Sequence, residues 1–172
     1  IIALSKATHK AINRKSLVEK RLLLALDQDH LNVLYQPQLD LQTGKITTVE
    51  ALVRWNDDEI GVVSPDELIP IAEETGLIHN IGKFMLEKAC EQAVKWQKAG
   101  LDLKVSINSS VGEFRDKNMA KSILEILAKT GCPAHLIQIE ITEKFALVAE
   151  AEISIIQQMR TLEREGITFI LD

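Results

Sequence analysis

The chain has 172 residues, of which 46% are hydrophobic and 26% charged, with a net charge of −5. That length can hold one domain with a sizeable core, and the composition is that of a globular protein rather than a disordered one. The acidic balance argues against general DNA or RNA binding, whose affinity comes from basic side chains, but it leaves room for a small phosphorylated ligand held through metal ions.

No apolar run reaches the length of a membrane span; the most apolar patch, Leu22 to Leu26, is bounded by Arg21 and Asp27. No signal-peptide pattern opens the chain, and a cytoplasmic location is expected, with a membrane anchor in an upstream region of the parent protein as the alternative. The opening Ile1 in place of Met suggests a piece of a longer product. Cys90 and Cys132 show no CxxC spacing and read as buried small hydrophobes in a reducing compartment. His9, His30, His79 and His135 fit no metal spacing, and Trp55 and Trp96 read as packing residues.

Residues 1–29 form the first element. Leu4, Ala11, Val18, Leu22 and Ala25 recur at helical spacing, with basic residues between them. Lys6, Lys10, Arg14, Lys15, Lys20 and Arg21 outnumber Glu19, Asp27 and Asp29, so the rest of the chain is more acidic than the whole. This amphipathic helix either packs on its own domain or links to an upstream one. Leu31 to Leu39 and Ile46 to Trp55 are strand-like and joined by a short turn at Thr43-Gly44, an expected antiparallel pair. Ser64-Pro65-Asp66-Glu67 then opens a helix, with a cap, a proline at the first position and a glutamate three residues after the serine. That helix should end near Gly76, and another should run from about Ile81 to Ala99.

The remainder alternates. Strands are expected over Leu103 to Asn108, Leu136 to Ile141 and Ile167 to Asp172. Helices are expected over about Asp116 to Thr130, and from after Ile141 to about Glu165. Strands separated by such helices imply βαβ units and a parallel sheet. Side chains alternate along a strand. Glu50, Leu52 and Arg54 therefore share one face, as do Ser106 with Asn108, Gln138 with Glu140, and Ile170 with Asp172. Polar and acidic groups from four strands point to one interior, at strand ends where β/α barrels collect their active-site residues.

Buried carboxylates need cations, and an Asn carbonyl among them suits Mg²⁺ or Mn²⁺. Arg54 offers a fork of donors suited to a phosphate oxygen. Each residue also has an ordinary explanation. Glu50 and Arg54 could be a structural pair, Asn108 a turn residue, Glu140 and Glu143 a surface acidic pair, and Asp172 a frayed end. Their common place at strand ends is what points to metals.

An ordered set of motifs narrows this. It begins with Tyr35-Gln36-Pro37, Glu50-Ala51-Leu52-Val53-Arg54-Trp55, Ser64-Pro65 and Ile69-Pro70-Ile71-Ala72-Glu73-Glu74-Thr75-Gly76. It continues with Val105-Ser106-Ile107-Asn108, Phe114, Glu140-Ile141-Thr142-Glu143 and Ile170-Leu171-Asp172. Together, from about Leu31 to Asp172, it closely resembles the EAL-domain family of cyclic-di-GMP phosphodiesterases. The resemblance implies an α/β fold: a TIM-like β/α barrel of the EAL type with an antiparallel first strand pair, here truncated before its last strands. Residues 1–29 would be a linker helix and 30–172 the incomplete EAL domain.

It also implies cleavage of cyclic di-GMP to linear pGpG with two Mg²⁺ or Mn²⁺ ions. Glu50, Asn108, Glu140 and Asp172 would be metal ligands, with Glu50 and Glu143 in the catalytic apparatus and Glu143 steadying a loop beyond this chain. Gln36, Leu52 and Arg54 would contact substrate. A homodimer through the domain and an upstream sensor or cyclase domain belong to the same expectation. The chain departs from the family where Asn108-Ser109-Ser110 replaces Asn-Leu-Ser and where Leu68 replaces Phe. The later Asp, Lys, Glu and Gln of the family site do not fall within it, so the fragment itself is expected to be inactive. The alternative is a non-catalytic module that binds cyclic di-GMP or a partner.

Overall fold

The computed structural model describes residues 6–172, with side chains from Asn13 onward. The elements are α1 (Lys6–Asp27), β1 (Asn32–Asp40), β2 (Lys45–Asp57), β3 (Gly61–Val63), α2 (Pro65–Thr75), α3 (Ile78–Lys98), β4 (Lys104–Asn108), α4 (Val111–Phe114), α5 (Met119–Thr130), β5 (Ile137–Ile141), α6 (Glu143–Ala151), α7 (Ile153–Glu165) and β6 (Thr168–Leu171). A 3₁₀ turn at Ala134–Leu136 precedes β5. The strands run in the order β1-β2-β4-β5-β6, with β3 paired to β2. The sheet is open, with β1 and β6 at its edges. The pairs β2–β4, β4–β5 and β5–β6 are parallel. β1 is joined to its neighbour β2 by residues 41–44 alone, a connection too short for a parallel crossover, so that pair is antiparallel. Pro37, which cannot donate to a ladder, sits on this edge strand.

The chain divides into two compact units. One holds the segments up to Asn32 and Val53–Ile81; the other holds Val33–Leu52 and Gly82–Asp172. In the first, Val18, Leu22 and Ala25 of α1 are buried; Leu4 and the Ala11 side chain lie outside the described residues. α1 is tied to α2 and to the β2–β3 hairpin by charge. Arg14 donates to both Glu67 carboxylate oxygens at 2.8 and 3.2 Å and to the Ile60 carbonyl at 2.9 Å. Arg21 donates to Asp57 at 2.8 and 3.0 Å. The Asp57 carboxyl also accepts the backbone N–H groups of Glu59 and Ile60, which folds the hairpin turn. Arg21, with those two N–H groups, holds the Asp57 carboxyl below the usual carboxylate range. α2 begins as its sequence predicts: Ser64 Oγ accepts from the Glu67 N–H, Pro65 follows the cap, and Gly76 closes the helix with φ 77°.

In the second unit, Val49, Ala51, Val105, Ile107, Ile137, Ile139 and Ile141 form the sheet's buried apolar face. α5 and α6 pack against α7, and α7 packs against β6. Phe114 is fully buried and makes edge contacts with Phe145 and Phe169, at ring separations of 5.4 and 5.9 Å. Gln158 bridges two helix ends: its side chain accepts from Ala120 N–H at 3.0 Å and donates to the Phe114 carbonyl at 2.8 Å. Cys90 and Cys132 are buried free thiols. Cys132 and burial together push the Cys90 thiol up.

Two expectations change, and one short strand was not foreseen. The helix expected from after Ile141 to about Glu165 is two helices, broken at Glu152, whose backbone is extended with φ −113° and ψ 97°. Phe145 and Ala149 are buried on α6, whereas α7 buries Ile155, Gln158 and Leu162. One straight helix cannot keep both sets on one face, and Arg115 pairs with the Glu152 side chain at the break. The helix expected from Asp116 begins at Met119, because the Asp116 carboxyl accepts the Asn118 N–H and makes a turn instead. β3 was too short to show a pattern; it pairs Trp55 with Val63 and Asp57 with Gly61.

Two measurements check this packing. Phe114→Ala should lower unfolding free energy by about 3–5 kcal/mol in denaturant titration, and a loss below 1 kcal/mol would contradict the aromatic cluster. Tyr35, the chain's single tyrosine, donates to the Lys88 carbonyl at 3.1 Å and stands edge-on to Trp96 at 5.1 Å. Burial, then the Glu91 charge, pushes its hydroxyl up to about 12. The folded value lies above the unfolded value of about 10, so the neutral phenol favours the fold. That stability is complete below pH 10 and is lost as pH rises through 12. Phenolate absorbance should appear near pH 12 in the folded protein and near pH 10 in denaturant, and Tyr35→Phe should remove this alkaline step.

Candidate active site

The strand register determines which side chains can meet. Glu50 lies opposite Ser106, Ser106 opposite Gln138, and Gln138 opposite Thr168, forming one row across β2, β4, β5 and β6. The next row toward the strand ends holds Asn108, Glu140 and Ile170. Paired residues project from the same side of a sheet, so Glu50, Ser106, Asn108, Gln138 and Glu140 share the side opposite the buried apolar face. Asp172 follows β6, and its N–H donates to the Ile141 carbonyl at 2.9 Å. That bond carries the β5–β6 ladder up to the last residue.

Two clusters form on this side. In the first, Asn108 Nδ2 donates to Glu50 Oε1 at 2.7 Å, joining the end of β4 to the middle of the neighbouring β2, so Glu50 is not at a strand end as expected. In the second, Glu140 is 6% exposed and its Oε1 accepts from the Ser106 hydroxyl and, at 3.3 Å, from Gln38 Nε2 of β1. Ser106 is fully buried. These neutral donors offset the cost of placing a carboxylate in the sheet. Both act on Oε1.

The remaining predicted residues are less engaged. Gln36 is exposed on β1 and Leu52 is half-buried on β2. Arg54, half-buried on the same strand, donates through Nη1 to the Val53 carbonyl at 2.8 Å. Glu143 is exposed in the first turn of α6, beside the cap formed when Thr142 Oγ1 accepts from Phe145 N–H at 3.2 Å. Among the described residues, no three His, Cys, Asp or Glu side chains are gathered closely enough to hold a metal. This side of the sheet thus brings together Glu50 with Asn108, and Glu140 with Ser106 and Gln38, but not Glu50, Glu140 and Asp172 as one carboxylate cluster. A groove between α5 and α7, lined by Lys117, Leu124, Gln157 and Thr161 among others, contains none of the predicted residues.

Gln38 and Ser106 were missed as site residues. Both signals were in the sequence: Ser106 alternates with Asn108, and Gln38 shares strand parity with Gln36. Glu113 was missed as well. It is 3% exposed, and its Oε2 accepts from Ser109 Oγ at 3.0 Å and from Ser110 N–H at 2.8 Å. Its signal is the capping spacing Ser110-x-x-Glu113 just past Asn108.

The family model for the EAL domain matches residues 19–172, and the chain belongs to that family. Curated relatives include the cyclic di-GMP phosphodiesterase PdeR of Escherichia coli, 32% identical over 146 residues, which are 84% of this chain and 22% of PdeR. The bifunctional diguanylate cyclase/cyclic di-GMP phosphodiesterase MucR of Pseudomonas aeruginosa is 34% identical over 141 residues, 80% of this chain and 20% of MucR. The oxygen sensor protein DosP of Escherichia coli is 30% identical over 169 residues, 98% of this chain and 21% of DosP. The chain therefore spans about a fifth of the length of these relatives. Among solved structures, the PaMucR phosphodiesterase in complex with cyclic di-GMP aligns with a TM-score of 0.82 at 29% identity, covering 89% of this chain and 62% of that one. The EAL domain of Xanthomonas citri FimX aligns with a TM-score of 0.80 at 23% identity and supports the fold alone. No helix among the described residues is long and apolar enough to cross a membrane.

The arrangement around Glu140 can be tested without substrate. Glu140→Gln keeps an acceptor for Ser106 and Gln38 while removing a buried charge. Its thermal midpoint at neutral pH should equal or exceed that of the unchanged protein. A drop of several degrees would show that the charge itself holds the strand ends together.

Proposed function

We propose that the protein carrying this chain hydrolyses one phosphodiester of cyclic di-GMP to give linear pGpG, with two Mg²⁺ or Mn²⁺ ions. One observation carries this reading: four adjacent parallel strands bring Asn108, Glu140 and Asp172, at or just past the C-terminal ends of β4, β5 and β6, to the same side of the sheet as Glu50 in the middle of β2, with Asn108 in direct contact with Glu50. Oxygen-only donors of this kind, carboxylates and an amide, suit hard divalent cations. The kinship with PdeR and MucR supports cyclic di-GMP as the substrate.

When bound, two such ions activate a water and offset the charge on the phosphoryl and leaving oxygens. Glu50, Asn108, Glu140 and Asp172 would hold them. Ser106 and Gln38 keep the Glu140 carboxylate oriented by donating to Oε1. Asn108 does the same for Glu50. Arg54 commits one nitrogen to its own strand, which fixes the guanidinium and leaves its other donors for a substrate phosphate. Gln36 and Leu52 would line the substrate's approach, and Glu143, at the start of α6, would steady a loop over the site.

A second reading is a module that binds cyclic di-GMP without cleaving it. It is favoured by the finding that, among the described residues, the acidic side chains do not converge into a group of three. The full-length protein, incubated with cyclic di-GMP and Mn²⁺, should release pGpG, and Glu50→Ala should lower turnover at least about 100-fold. Full turnover in Glu50→Ala would remove Glu50 from the site. Tight binding with no product, measured in the same samples, would establish the second reading.

A further inference from the structure

The turn that follows Asn108 is held by an acid to which the proposed chemistry assigns no role. Glu113 stands third in α4 and is 3% exposed. Its Oε2 accepts the Ser109 hydroxyl at 3.0 Å and the Ser110 N–H at 2.8 Å, while its own N–H donates to the Ser110 carbonyl at 3.1 Å. The Ser110 hydroxyl is buried with no partner, so the carboxylate, not the serine, makes this cap. Ser109 is gripped a second time from β5, where its N–H donates to the Glu140 carbonyl at 3.0 Å. The residue directly after Asn108 is thus fixed from both sides.

Space for the acid comes from Gly82 on α3. A Cβ there would lie 1.9 Å from Glu113 Oε1 and 3.1 Å from its Cδ, a clash that only movement of Glu113 could relieve. Ser109 stands where the family commonly carries Leu, and its hydroxyl is spent on Glu113 rather than on packing. Asn108 itself is exposed, the last residue of β4 and directly before this turn, and its Nδ2 donates to Glu50 at 2.7 Å. Displacements of about 1 Å in such groups are enough to cost about 100-fold in rate.

We infer that Glu113 is a positioning residue. Seated against Gly82, it locks the Ser109–Ser110 turn and thereby sets the direction of the Asn108 amide toward Glu50. The catalytic consequence rests on the phosphodiesterase reading; the orientation of Asn108 does not.

The test uses the full-length protein labelled with ¹⁵N-asparagine, following the side-chain amide signal of Asn108, assigned by its loss in Asn108→Ala. Glu113→Gln keeps an acceptor oxygen and should leave that signal in place. Glu113→Ala should move it toward the position of an unconstrained asparagine. Ser109→Ala, which removes a single hydroxyl and serves if Glu113→Ala does not fold, should move it part of the way. In turnover of cyclic di-GMP with Mn²⁺, Glu113→Ala should lose about 10- to 100-fold in kcat with little change in KM, and Glu113→Gln should recover most of it. An Asn108 signal unmoved in folded Glu113→Ala or Ser109→Ala overturns the inference. Absence of turnover in the unchanged protein, with the Asn108 signal shifting as stated, would instead overturn the phosphodiesterase reading and leave the positioning role standing.

Discussion

A slip of one residue between β4 and β5 would turn Glu140 into the helical layer and Ile139 or Ile141 out of it. The register prevents this because the apolar face is continuous: Val105 lies opposite Ile137, Ile107 opposite Ile139, and Ile139 opposite Phe169. Burial of those residues fixes the phase of each strand, and the alternation of side chains fixes everything on the other side. The site is a consequence of hydrophobic packing on the face that contains none of it. Polar residues alone could not impose the alignment, since their pairwise attractions are weak beside the burial of a row of isoleucines.

Once the phase is fixed, the cost of polar groups on that side must be met locally. Glu140 is central in the sheet and largely buried, and it is satisfied by a hydroxyl from one neighbouring strand and an amide from β1. Glu50 is satisfied by the amide at the end of the next strand. Neutral donors suit this role. They stabilise the carboxylates without cancelling their negative charge. An arginine in place of Ser106 or Gln38 would stabilise Glu140 more strongly but neutralise it.

Much of this was legible in the sequence. The strand limits and the shared face of Glu50, Leu52 and Arg54 follow from period-two alternation, and the start of α2 follows from Ser64, Pro65 and Glu67. What escaped has physical reasons. The break at Glu152 depends on two helices meeting different neighbours, which no local propensity of Glu encodes. β3 is three residues long and exists because Asp57 folds the chain back through the N–H groups of Glu59 and Ile60. Gln38 and Ser106 carry the right parity, but which residue's side chain reaches Glu140 depends on strand order. The seat of Glu113 requires Gly82, a residue distant in sequence with no helix-ending role.

The exchange of leucine for serine at position 109 shows why departures from a family pattern must be weighed with their neighbours. Leucine would hold such a turn by burying a methyl-rich side chain; Ser109 holds it by donating to an acid already in place as a cap. The two devices differ in kind. Packing is non-directional and tolerates small displacements, whereas a hydrogen bond weakens steeply as its angle opens. A turn held by Ser109 and Glu113 is therefore more narrowly defined while intact and loses its definition more abruptly when one partner is removed. For an exposed amide aimed at one oxygen of Glu50, that narrowness is an advantage.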